Sequence, residues 1–362
     1  MEDKLPKTIC NFYKIIRVIL KLKVWREFGI LEGKFWKCAR FGLIFKKKTK
    51  FVFFMRNGEL VTGKVISAHG TFFNVQVDDK VVMCKLRGKM RLQDKVSTSP
   101  VVAGDNVKIR ILEDGTGVIE EVLERFNKLY RKASGKKELE HIIVANIDQA
   151  IVVTSFNMPH VPWGFVDRLL VASERNNIKP IICINKIDLI EKWKEVNDFI
   201  KVYGTKVGYE IIKTSAVTGE GLDELKAILK DKTSVFVGQS GVGKSALINA
   251  IEPGLNVRTT EVSEKTGKGR HTTTHTELHK LSFGGFIADT PGMKEFGLSG
   301  IEKNELGYYF PEFRKFLEQC KFSNCTHTHE PDCAVKDAVH KKHIDRRRYM
   351  SYLNILNSLG ED

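Results

Sequence analysis

Phe236-Val237-Gly238-Gln239-Ser240-Gly241-Val242-Gly243-Lys244-Ser245-Ala246-Leu247-Ile248-Asn249-Ala250-Ile251 is the stretch that decides how the rest of the chain is read. It opens on the apolar end of a strand (Val235 to Val237) and closes in a helix whose apolar positions are Leu247, Ile248 and Ile251. Gly238 to Ser245 fits the spacing G-x-x-x-x-G-K-[ST]. Glycines let successive backbone N–H groups curl around an anion, and the following helix N-terminus adds the positive end of its dipole. The backbone from Gly238 to Ala246 is therefore expected to line phosphates. Lys244 is expected to reach the β- and γ-phosphates and the Ser245 hydroxyl to ligate Mg2+. A glycine-rich turn would not need both Lys244 and Ser245. The run points to a nucleoside triphosphate.

Upstream, an α/β pattern carries a second signal. Ile142 to Ala145 and Ala150 to Thr154 read as buried parallel strands, Phe165 to Asn176 as an amphipathic helix, and Lys179 to Ile184 as the next strand. That strand ends in Asn185-Lys186-Ile187-Asp188. Ligands of open α/β sheets bind at such C-terminal strand ends. A carboxylate at Asp188 can accept from both the ring N–H and the exocyclic amine of guanine, and the Lys186 stem can cover the base. A helix over Glu191 to Tyr203 and a strand over Tyr209 to Thr214 lead to Ser215-Ala216, a turn suited to offering an N–H to the base oxygen.

Downstream, Gly267 to Thr274 is a Gly/Thr-rich loop of the kind that orders around Mg2+ and the γ-phosphate, with Thr273 the candidate ligand among Thr272 to Thr274. Asp289-Thr290-Pro291-Gly292 follows an apolar strand, with Asp289 placed to hold the metal and Gly292 to meet the γ-phosphate. An ordinary GTPase begins with the phosphate loop. Here the guanine motifs come first, which makes the chain circularly permuted, a change open sheets tolerate when the old termini lie close. A kinase or ATPase would have no use for Asn185 to Asp188, and a simple RNA-binding module would not need five nucleotide motifs.

Beyond the nucleotide motifs lies Cys320-x4-Cys325-x-His327-x5-Cys333. Three Cys and one His fit a closed, tetrahedral structural Zn2+ site, with His329 a substitute ligand left open. Helices are expected over Lys303 to Gln319 and Ala334 to Leu359, the latter carrying His340, Lys341, Lys342, His343 and Arg346-Arg347-Arg348 as a basic patch suited to phosphates. A solvated helix face is the alternative.

Ahead of the α/β region, Leu60–Ile66, Phe72–Val77, Val81–Leu86, Val107–Leu112 and Val118–Val122 alternate with period two. Five short antiparallel strands suggest a small barrel of the oligonucleotide-binding type, with Lys85, Arg87, Lys89 and Arg91 along one edge. The polar, basic run Arg125 to Glu140 reads as a linker.

The net charge of +15 is uneven: residues 1–54 hold 14 Lys or Arg against 4 acids, leaving 45 against 40 downstream, or +5. That extension has no run long and apolar enough for a membrane span, and no signal-peptide cleavage pattern. A basic segment touching RNA or membrane and an organellar transit peptide compete with a non-functional upstream stretch before Met55, which we favour. Seven cysteines, three of them between Cys320 and Cys333, indicate a reducing compartment and a metal rather than disulfides.

Taken together, the barrel, the permuted motifs with Gly269-Arg270-His271-Thr272-Thr273-Thr274 and the Cys/His spacing resemble the ribosome small-subunit-dependent GTPase A (RsgA/YjeQ) family from about Met55 onward. Behind the basic extension (1–54), the resemblance implies a multidomain fold: an OB-fold barrel (55–125), a linker (126–140), a permuted α/β P-loop GTPase (141–298) and a helical zinc-binding domain (299–362). It implies a cytoplasmic, monomeric GTPase that binds the small ribosomal subunit late in maturation and leaves after hydrolysing GTP. Its barrel and zinc domain would contact ribosomal RNA, with no stable membrane association. Extension 1–54 departs from the family pattern. Where Ras-like proteins place a water-orienting Gln after the Asp-x-x-Gly glycine, this chain has Met293. His271 is the catalytic candidate in its place, with a structural or RNA-contacting role still open.

Overall fold

The computed structural model describes residues 60–88, 99–132, 140–255, 276–289, 298 and 300–359. The extension 1–54, Lys89, Arg91, His271, Thr273, Gly292 and Met293 lie outside them. Among the described residues, eleven strands form one continuous sheet and two more form a separate hairpin.

The barrel comprises β1 (Leu60–His69), β2 (Phe72–Val77), β3 (Lys80–Leu86), β4 (Asn106–Ile111) and β5 (Gly117–Val122). Period-two alternation turns Val65, Val75, Cys84, Val107, Ile109 and Ile119 into its interior, all fully buried. It is not wholly antiparallel, as the sequence suggested. β5 pairs parallel to β3 through Cys84↔Gly117, while β1 closes on β4.

The expected linker is structured at both ends. β6 (Lys128–Lys132) pairs antiparallel with β7 (Glu140–Ala145) as the two-stranded sheet, so β7 is not a parallel strand of the main sheet. Buried Leu129, Ile142 and Val144 give the hairpin its apolar side. Its root is tied to the barrel by a partly buried ion pair: Arg125 Nε and Nη2 donate to Asp105 at 2.6 and 2.8 Å.

The α/β layer follows. Parallel strands β8 (Gln149–Thr154), β9 (Lys179–Ile184), β10 (Glu210–Lys213), β11 (Thr233–Val237) and β13 (Phe286–Asp289) adopt the order β10-β9-β8-β11-β13. β12 (Glu277–Lys280) adds antiparallel to β13. β8 and β11 are buried throughout, which explains the apolar runs Ala150 to Val153 and Val235 to Val237. Helices α1 (Trp163–Arg175), α2 (Trp193–Ile200), α3 (Leu222–Leu229) and α4 (Lys244–Ile251) flank the sheet. α2 widens into a π-turn over Lys201–Val207, which stacks Tyr203 on Phe199. The barrel joins this sheet through one pair, Ser67↔Glu277, and Glu277 in turn faces Asp289. Ser67, Glu277 and Asp289 therefore occupy one row across three neighbouring strands. Beside that seam, Lys64 Nζ donates to Thr233 Oγ1 at 2.8 Å.

Past residue 300 the two long helices expected from the sequence are broken. Pro311 cannot donate and keeps Phe310 extended (φ −107, ψ 99). Only a 3-10 turn (Leu306–Tyr309) and the short α5 (Arg314–Leu317) form there. Lys342 takes φ 62, splitting the second helix into α6 (Ala334–His340) and α7 (Arg346–Ser358), the latter capped by Asp345 accepting from Arg347 N. Phe310, Phe313, Val335, Tyr352 and Ile355 make a second core, into which α1 sends Val171.

Candidate functional site

Parallel pairing sets the C-terminal ends of β8, β9, β11 and β13 side by side, and of the described motif residues Asn185 to Asp188, Gly238 to Ser245 and Asp289 follow or end these strands. Gly238 to Gly243 joins β11 to α4 as the sequence predicts. Two of its glycines are demanded by space as well as by dihedral angle. At Gly238 (φ 152) a Cβ would lie 2.3 Å from Val153 O, and at Gly243 (φ 95) 2.4 Å from Asn185 Nδ2. Lys244 begins α4 and folds back, donating to Gly238 O at 2.8 Å and Gln239 O at 2.9 Å. Burial holds its ammonium below the usual lysine range. A phosphate in the loop offers this cation a better partner than two carbonyls. Ser245 and Ala246 follow in the first turn, half-buried, while Ser240 and Gly241 face solvent.

The base motif is locked to the phosphate loop. Asn185 is buried, its Nδ2 donating to Val242 O at 2.9 Å and its Oδ1 accepting from Thr214 Oγ1 at 3.2 Å. Lys186 adopts φ 61, and its ammonium donates to Met158 O. Asp188 is exposed beyond the strand end, one oxygen accepting from Ser215 Oγ at 2.5 Å. Ser215 Oγ in turn accepts from Thr218 N at 3.1 Å, which shapes the turn carrying Ala216. Motifs separated by 57 residues thus meet at one edge. Asp289 ends β13, whose Ala288 pairs with Val235 of β11, so its backbone stands beside the start of the loop. Met158-Pro159, which matches no motif, also borders this edge, its Met158 carbonyl meeting Lys186 and Pro159 lying beside Gly241.

At the other end, Cys320, Cys325, His327 and Cys333 bring one ligand atom each to within 4.8 Å of one another. Sγ of Cys320 lies 4.0 Å from Sγ of Cys333 and 3.6 Å from His327 Nδ1, and Cys333 Sγ is 3.4 Å from the same nitrogen. Tetrahedral zinc with bonds of about 2.0–2.3 Å spaces its ligands by roughly 3.5–3.8 Å, so this donor set fits one ion. Burial pushes the Cys325 thiol up to about 12, so a cation is needed to hold it as thiolate. His329 is exposed and bonded to Thr328, which leaves it outside the cluster. Supporting contacts that sequence reading missed come from Glu330, Tyr349 and Tyr352. Glu330 accepts from Thr326 N at 2.7 Å and Thr328 N at 2.9 Å; Tyr349 and Tyr352 donate to the carbonyls of His327 and Thr326.

The basic patch needs correction. Arg348 is fully buried, its guanidinium shared between Asp167 of α1 and Glu312, with Nε 2.6 Å from Glu312 Oε1. It cannot meet a phosphate. Arg346 and Arg347 remain exposed. On the barrel, Lys85 is exposed over the Phe72 ring, whereas Arg87 is paired with Glu120.

The chain is similar to known proteins over most of its length. Residues 62–119 match the RsgA N-terminal domain and residues 122–299 the RsgA GTPase. A protein of Caldanaerobacter subterraneus called small ribosomal subunit biogenesis GTPase RsgA is 44% identical over 84% of this chain and 97% of its own length. A Bacteroides fragilis protein of the same name is 42% identical over 83% and 97%. The crystal structure of YjeQ from Thermotoga maritima superposes with a TM-score of 0.70 at 38% identity, covering 84% of this chain and 100% of that one. YloQ, described as a circularly permuted GTPase, gives 0.65 at 35% identity, covering 83% and 95%. With its sheet carrying the base motif ahead of the phosphate loop, this chain belongs to the RsgA family of circularly permuted GTPases and is a GTP hydrolase.

Proposed function

We propose that this protein binds the small ribosomal subunit during late maturation, hydrolyses GTP when the subunit stimulates it, and is thereby released. The reading is supported by the link between Asn185 Nδ2 and Val242 O, which fuses base and phosphate recognition into one site. Small-subunit biogenesis is taken from the names of relatives matched over nearly their whole length.

In this reading Asp188 selects guanine, the Lys186 stem covers the base, and the Ser215-Ala216 turn meets the base oxygen. Backbone N–H groups from Gly238 to Ala246 cradle the phosphates, and Lys244 leaves the loop carbonyls to neutralise the β- and γ-phosphates. Ser245, Thr273 and Asp289 would hold Mg2+, whose charge would offset that of the phosphates, and Gly292 would contact the γ-phosphate. His271 positions the attacking water, because Met293 has no group that can. Cys320, Cys325, His327 and Cys333 would hold one zinc ion, which would help keep the C-terminal unit folded. The barrel and that unit contact ribosomal RNA.

We assign the protein to the cytoplasm as a monomer without stable membrane association; among the described residues no helix is long and apolar enough to cross a membrane. The test is GTP and ATP turnover by the purified chain, alone and with purified small or large subunits. Strong stimulation of GTP hydrolysis by small subunits only is expected. Equal turnover with either subunit, or none with both, would overturn the proposal.

A further inference from the structure

Where α7 packs on α1, a cleft of about 350 Å³ opens beside the junction of the two cores. Trp163 and Tyr203 line it from the GTPase, and Arg346, Arg347, Met350 and Asn354 line it from α7. None of them belongs to the nucleotide or zinc chemistry. The Arg347 guanidinium lies 4.5 Å from the Trp163 ring centroid, and the same indole meets Phe199 and Tyr203 edge-on at 5.1 and 5.8 Å. Met350 is left 45% exposed next to this stack.

Two exposed cations, Arg346 and Arg347, line the cleft from α7. The nearby acids are already engaged: Asp345 by Lys206 at 2.9 Å and by Arg347 at 3.2 Å, Asp167 by Arg348 and by Tyr203 OH at 2.6 Å. A flat aromatic–guanidinium wall, an exposed thioether and an uncovered amide at Asn354 suit a planar, hydrogen-bonding ring. The cationic rim suits the anions on either side of such a ring. An acidic peptide would satisfy the rim but leave the stack unused.

We propose that this cleft takes an unpaired nucleotide of a single-stranded RNA segment. Its base lies against the Trp163–Arg347 stack, and a flanking phosphate lies on Arg346 at the rim. The inference rests on the reading that the protein binds the small subunit's RNA. It adds that recognition there is single-stranded, and that the site is composed jointly by the GTPase and the zinc-binding unit.

The test uses the full chain with zinc bound. Arg346→Glu combined with Met350→Glu should weaken affinity for small subunits at least tenfold. Melting temperature and subunit-free GTP hydrolysis should stay at wild-type values. In a second arm, a dodecauridylate carrying 5-bromouridine is cross-linked to the wild type by ultraviolet light, and cross-links to peptides holding Trp163 or Met350 are expected. Subunit affinity within twofold of wild type in the double variant would overturn the proposal, as would cross-links found only elsewhere. Competition by GMP as effective as by the oligomer would make this a free-nucleotide site and also overturn it. If the oligomer cross-links as expected while the wild type fails to bind subunits, the cleft stands and the ribosomal reading falls.

Discussion

At Asp188 the proposed chemistry of base choice is one residue deep. Ser215 donates to one carboxylate oxygen, leaving lone pairs on both oxygens for a base outside the strand end. Asp188→Asn replaces an acceptor by an N–H that opposes guanine's own donors. With charge-assisted bonds at about 1.5–3 kcal/mol each, GTP binding should weaken roughly tenfold or more. Calorimetric titration with GTP checks this, and unchanged affinity would remove Asp188 from base recognition. His271 is expected to behave oppositely. Its proposed role exists only with the γ-phosphate and subunit present, so His271→Ala should keep GTP affinity and lose subunit-stimulated turnover. Single-turnover hydrolysis with saturating subunits separates the two; a normal rate would place water positioning elsewhere.

The zinc loop shows how an element is built around ligands that cannot order it alone. His327 sits at φ 56, a left-handed conformation that nearby bonds must hold. Burial would raise the Glu330 carboxyl, but hydrogen bonds from Thr326 and Thr328 outweigh it and hold the group at about 2. Its contribution to loop order is therefore complete above the ordinary carboxylate range and is lost as pH falls from about 4.5 toward 2. Glu330→Ala should loosen zinc by about 10–100-fold, as expected for groups supporting metal ligands. Competition with a chromogenic chelator at neutral pH reads this out, and an unchanged zinc constant would make Glu330 incidental. Ligand spacing from Cys320 to Cys333 was legible because metal chemistry is local, as was Asn185 to Asp188 at its strand end. Glu330 was not, since nothing in an isolated carboxylate announces which N–H groups it will accept. Apolar periodicity hid the break at Pro311, whose local rule should have prevailed. Charges hid β6, whose Leu129 alone did not reveal a strand.

Over the whole molecule, the C-terminal unit is fixed to the GTPase by the residue that sequence most misplaced. Arg346-Arg347-Arg348 reads as a surface patch, but a helix turns consecutive residues to different faces, and only Arg348 points inward. Its carboxylate partners lie 181 and 36 residues away, beyond any local pattern. Burial alone would lower its pKa, yet Glu312 and Asp167 keep the guanidinium charged, and it also lies 4.6 Å from the Phe310 ring centroid. The chain segment between β13 and this unit is therefore not its sole tether, and a nucleotide-driven shift would have to carry α1 along with it. Arg348→Met leaves two buried carboxylates unpaired and should cost about 3–5 kcal/mol. Adding Asp167→Leu, Glu312→Leu and Tyr203→Phe removes the orphaned groups and should recover most of that loss. Zinc content and GTP affinity should hold in both proteins wherever they remain folded, because neither set of ligands includes these side chains. Denaturant unfolding with zinc present decides it: a single variant within about 1 kcal/mol of wild type would show the clamp to be dispensable.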